Sequence, residues 1–92
     1  MKLIDVVENI DKFSDELIIF QKDRNNYNSD IILAIPEEGD EGIKNEGGIK
    51  YFYLLEVFLA KEFIKDWLKS LDYLPSSNET AERLYLYAIN DA

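Results

Sequence analysis

Residues 51–71 read YFYLLEVFLAKEFIKDWLKSL, and the fold turns on how that run is divided. As far as Val57 the pattern is that of a strand: Tyr51, Tyr53, Leu55 and Val57 alternate with Phe52, Leu54 and Glu56. Both faces are largely apolar, as in a mostly buried strand. From Ala60 the period changes. Ala60, Phe63, Ile64, Trp67, Leu68 and Leu71 are separated by the gaps of three and one that mark one face of a helix. The expectation is a core strand running almost directly into the main helix, with Trp67 on its buried side.

Upstream, Leu17-Ile18-Ile19-Phe20 and Ile31-Ile32-Leu33-Ala34-Ile35 are short runs rich in β-branched residues. The polar residues 23–30 between them tolerate left-handed turns, which predicts a β-hairpin with a longish loop. Pro36 lacks an N–H and marks the exit from the second strand. Residues 36–48, PEEGDEGIKNEGG, hold all four glycines and five carboxylates against one lysine, and read as a loop. At the start of the chain Leu3, Val6, Val7 and Ile10 share a stripe, predicting a helix over residues 2–13 with Asp5 and Glu8 near its positive end.

Downstream, Pro75 breaks the chain and Ser76-Ser77-Asn78-Glu79 fits a capping box. The segment from Thr80 to Asn90 suits a helix through Ala81, Leu84, Tyr85 and Ala88, although Leu84 to Ile89 also reads as a strand; the cap favours the helix. No internal repeat is visible. The order helix, strand, strand, strand, helix, helix describes one α+β domain: a small antiparallel sheet of about three strands with helices packed on one face. The other face of such a sheet is expected to stay open for recognition.

At 92 residues the chain has room for one core, which buries roughly 60–65% of the unfolded surface. Nineteen acidic and ten basic residues leave a formal charge of −9, while 47% of residues are hydrophobic, so the acidity belongs on a folded surface. A net anion is repelled by nucleic acid and by anionic membranes. It suits solubility or a basic protein partner. Cysteine and histidine are both absent, which removes thiolate chemistry, the usual general base and the commonest metal ligands. No leader and no membrane span is visible, so a cytoplasmic location is expected.

Few constellations carry chemistry. Asp40, Glu41 and Glu46 are hard oxygen donors, but their spacing does not match a calcium loop. Paired carboxylates could serve glycoside hydrolysis only in a deep cleft, for which the chain is short. The serines have no histidine to activate them, and Gly47-Gly48 lacks the Gly-Lys-Ser/Thr ending of a phosphate loop. Neither an enzyme nor a cofactor is expected. Lys61, Lys65 and Lys69 form a column whose position complements the dipole of the main helix. Tyr27, Tyr85 and Tyr87 cannot all be buried on one face, and exposed tyrosine beside carboxylates is good interface material.

Two segments, Tyr53-Leu54-Leu55-Glu56-Val57 leading into a helix and Tyr87-Ala88-Ile89-Asn90-Asp91-Ala92 at the end, resemble small acidic bacterial domains. In size and charge the chain is similar to immunity proteins of polymorphic toxin systems. That resemblance implies a cytoplasmic protein that caps a basic toxin domain, and it transfers no functional residue. The expected function is therefore a protein-binding inhibitor. Glu37, Glu38, Asp40, Glu41 and Glu46 would supply the charge and Tyr27 an anchor. A DNA-mimicking or phage-encoded inhibitor and a structural or oligomeric accessory domain are the alternatives.

Overall fold

A computed structural model of the chain describes residues 1–37 and 42–91, the Asp91 side chain excepted. The elements are α1 (Leu3–Glu8), β1 (Ile18–Gln21), β2 (Ile31–Ala34), β3 (Ile43–Glu46), β4 (Ile49–Glu56), α2 (Val57–Lys69) and α3 (Ser77–Asp91). The strands form one antiparallel sheet in the order β2-β1-β4-β3, so β1 and β4 lie at its centre. The class is α+β as the sequence implies, but with four strands where about three are expected. The added strand is β3, inside the segment that composition marks as loop.

The division of residues 51–71 is as the periodicity predicts, with the helix beginning earlier, at Val57. No loop intervenes. Glu56 ends the strand in extended conformation and Val57 opens the helix, its N–H donating to the Leu17 carbonyl at 2.9 Å. A donor that helix geometry leaves unpaired is thus satisfied by the chain entering β1. At the other end of the chain the ambiguous segment is a helix. The Ser76 hydroxyl accepts the Glu79 N–H at 3.1 Å, so half of the capping box forms. The Glu79 carboxylate instead accepts the Tyr73 hydroxyl, which holds the Tyr73 pKa above the ordinary phenol value.

The first helix is shorter than residues 2–13. It stops at Asn9, and a tight 3-10 turn spans Ile10–Lys12. The Asn9 amide donates to the Asp5 carbonyl at 2.9 Å, taking the acceptor that a continuing helix would use for its backbone. The β1–β2 loop is held by side chains of the kind its composition suggests. Asp23 and Asn26 each accept a backbone N–H two residues on, and the buried Ser29 hydroxyl accepts the Asp23 N–H. The edge of β2 is partly covered: Lys2 bridges to Asp30, and the Ile31 N–H donates to the Met1 carbonyl. The Lys2 ammonium lies 2.9 Å from the Asp30 carboxylate and depresses its pKa.

Alternation along the strands sorts two apolar clusters onto the two faces. Ile19, Ile31 and Leu55 join Leu3 and Val6 of α1, Ala60 and Ile64 of α2, and Ala81, Leu84 and Ala88 of α3 in the main core. Ile18, Phe20 and Tyr51 occupy the other face with Ile32, Ala34 and Tyr53 packed beside them. That second face is not the open surface expected, since Phe20 is 2% exposed. Lys44 of β3 sits opposite Tyr51, and its side chain is only 13% exposed, so its alkyl stem adds to the cover. Register slips by one residue between Ile19 and Phe20, a bulge that leaves Leu54 unpaired and increases the curl of the sheet.

The β3–β4 connection is the two-residue turn Gly47-Gly48, with φ of +57° and +80°. Two successive positive φ values match the right-handed twist of a tight hairpin and exclude β-branched residues. A Cβ on Gly48 would meet no atom within 4 Å, so the cost of a side chain there is purely one of backbone. Gly48→Val is expected to lower stability by about 1–2 kcal/mol, and Gly48→Asn by clearly less, because asparagine tolerates the left-handed region. Urea unfolding of the two variants checks the order.

Candidate functional site

The residues expected to bind a partner fall on several elements. Glu38, Asp40 and Glu41 lie outside the described residues. Glu37 follows β2, and its carboxylate is 3.4 Å from the Lys44 ammonium across the sheet. Glu46 is exposed at the end of β3, opposite Ile49 beside the glycine turn. Tyr27 is half-buried against the main core, with its ring 6.4 Å from that of Tyr85 and its hydroxyl 3.5 Å from the Asn78 side chain. Its surroundings are those of a strut between the β1–β2 loop and α3.

A different group of side chains gathers where α2 and α3 pack. Phe63 and Trp67 are one helical turn apart on α2, and Arg83 and Tyr87 one turn apart on α3. The two pairs interleave. The Phe63 ring stacks on Tyr87 at 4.4 Å and 20°, and lies 6.3 Å from Trp67 at 10°. The Arg83 guanidinium sits 5.9 Å from the centre of the Trp67 ring, within cation–π range. All three rings are half-exposed. Trp67 belongs to neither apolar cluster, whereas Phe63 and Tyr87 rest their inner edges on the main core. The expectation that Trp67 is core is therefore corrected: α2 presents Ala60 and Ile64 to the core and leaves Trp67 at its margin.

The stack walls two adjoining hollows. Leu59, Glu62, Phe63, Asp66, Trp67 and Tyr87 line one of about 370 Å³, and Phe63, Arg83, Leu86, Tyr87 and Asn90 line a smaller one of about 170 Å³. Glu62 and Asp66 are exposed on the rim of the larger. An aromatic floor with carboxylates at its edge accepts a flat cation, which can lie on a ring face while donating to an acid. The sequence carried the signal in the two i, i+4 pairs, but the pairs meet only through the packing of α2 on α3.

The lysine column is partly structural. The Lys61 ammonium donates to the Phe13 carbonyl and to the Asp15 carboxylate, each at 2.7 Å, tying α2 to the turn before β1. Among the described residues no group of three or more carboxylates gathers to hold a metal ion, and no helix is long and apolar enough to cross a membrane. Comparison of the chain with protein-family models, with curated proteins and with solved structures gives no significant match.

Proposed function

We propose that the protein is a small acidic inhibitor of the immunity type, which binds a basic toxin domain and covers its active or substrate-binding site. The observation that carries this reading is the half-exposed Phe63–Trp67–Tyr87 stack, with Glu62 and Asp66 on its rim, on a chain of net charge −9. A toxin that grips phosphates presents Arg and Lys. An arginine laid on Trp67 or Tyr87 can pair with Glu62 or Asp66, which combines a stacked contact with a charge-assisted hydrogen bond. The field of the whole acidic surface, Glu37 and Glu46 included, speeds the encounter, and the aromatic centre sets how long the complex lasts.

Growth rescue tests the reading. Expressed together with the toxin domain whose gene adjoins its own, the protein is expected to restore growth and to co-purify in an equimolar complex. The complex should weaken as salt is raised. Absence of such a neighbouring gene, or of rescue at matched expression, removes the reading.

A further inference from the structure

We infer that the hollow between the end of β1, the β1–β2 loop and the C-terminal half of α3 is a binding site for a small carboxylate with an apolar body. Gln21 is the centre of the argument. It is the last residue of β1, on the helix side of the sheet, and only 1% exposed. Its Nε2 amide is buried and makes no hydrogen bond among the described residues. A buried amide donor without an acceptor is costly, and native proteins satisfy nearly all such groups with protein, water, an ion or a ligand.

Gln21 lines a half-open hollow of about 410 Å³ together with Arg24, Asn25, Tyr53, Leu54, Tyr85, Ala88 and Ile89, its Nε2 lying just beneath the surface of that hollow. One water fills about 30 Å³, so the space is an order of magnitude larger than a single water needs, and it falls in the range of small-molecule pockets. Leu54, Tyr85 and Ala88 are buried and give apolar walls, and Ile89 is exposed at the mouth. The Tyr85 hydroxyl is already used: it donates to the Arg24 carbonyl and pins the loop over the hollow, so the walls are set before any ligand arrives.

Charge selects the ligand class. Among the described residues lining the hollow, Arg24 is the one that carries a charge, although the chain as a whole carries −9. Asp23 adjoins Arg24 in the chain but is not among the residues lining the hollow, and salt screens more distant charges over about 8 Å. An acceptor oxygen for Gln21 and a negative charge for Arg24 describe a carboxylate, and the walls describe a small ring or branched alkyl group behind it.

The test uses the full chain labelled with nitrogen-15, titrated with benzoate and with cyclohexanecarboxylate, and with benzylamine as the charge-reversed control. The Gln21 side-chain NH₂ pair and the Ala88 and Ile89 amides are expected to shift saturably at about a millimolar of acid, and not with the amine. Gln21→Leu, which keeps the bulk and removes the donor, should weaken binding at least about tenfold. Arg24→Glu, at an exposed position whose carbonyl contact to Tyr85 is retained, should weaken it by a similar factor and decides the matter if the first variant does not fold. No saturable shift at Gln21 with either acid, an equal response to benzylamine, or unchanged affinity in Arg24→Glu overturns the proposal.

Discussion

Leu55→Ala is expected to lower the free energy of unfolding by about 3 kcal/mol, the middle of the range for a buried leucine truncated to alanine. Leu55 lies on central strand β4, directly opposite Ile19 of β1, and is fully buried where the helices cover the sheet. Removing its outer carbons takes contacts from the sheet and from the helix layer together. Pairing with β1 at Ile18–Glu56 and Ile19–Leu55 holds this part of β4 in place and keeps the strand from closing the gap. A chain of 92 residues has a total stability of about 5–14 kcal/mol, so one substitution removes a large share of it. Urea unfolding should show a lower midpoint with an unchanged slope. Leu74→Ala is the control: Leu74 is 88% exposed, and its loss should move stability by less than about 0.5 kcal/mol. A loss under about 1 kcal/mol for Leu55→Ala would mean that the core is not centred on β4.

Trp67→Ala separates a binding role from a structural one. Its ring touches Phe63 and lies under Arg83, outside both apolar clusters, so its removal should cost the fold only about 1 kcal/mol. If the proposed complex forms on this surface, the same change should weaken binding by about 2 kcal/mol, close to thirtyfold, mainly through faster dissociation. Charge-neutralising changes at exposed acids should behave in the opposite way. Glu37→Gln with Glu46→Gln is expected to slow association and flatten its salt dependence while leaving dissociation nearly unchanged. Surface plasmon resonance at two salt concentrations distinguishes the patterns. A complex insensitive to Trp67→Ala and abolished by the two glutamates would move the binding surface from the α2–α3 stack to the loops around β3.

Residues 51–71 announce their strand and helix because each has a local period, and the junction at Glu56 and Val57 is where the period changes. The terminal helix is likewise legible through its Ser76 cap and the spacing of Ala81, Leu84, Tyr85 and Ala88. Strand β3 is not announced in that way. Ile43-Lys44-Asn45-Glu46 has one apolar residue and sits at a sheet edge, and its strand character comes from β4 pairing along one side. Its local signal was the pair Gly47-Gly48, a tight hairpin turn easily absorbed into an acidic, glycine-rich run.

What the sequence by itself determined is therefore the helices, three of the strands, the net charge and the absence of histidine and cysteine chemistry. Tertiary structure decided where those properties are presented. Helical spacing places Ile64 and Trp67 on one stripe, but only the packing of α3 on α2 makes Ile64 core and Trp67 rim. Strand alternation puts Gln21 on the inner face, but only the loop pinned by Tyr85 and the packing of α3 build a hollow beside it. Periodicity is a property of neighbours along the chain, whereas burial depends on how far a distant element reaches, and that is settled only when the whole core closes.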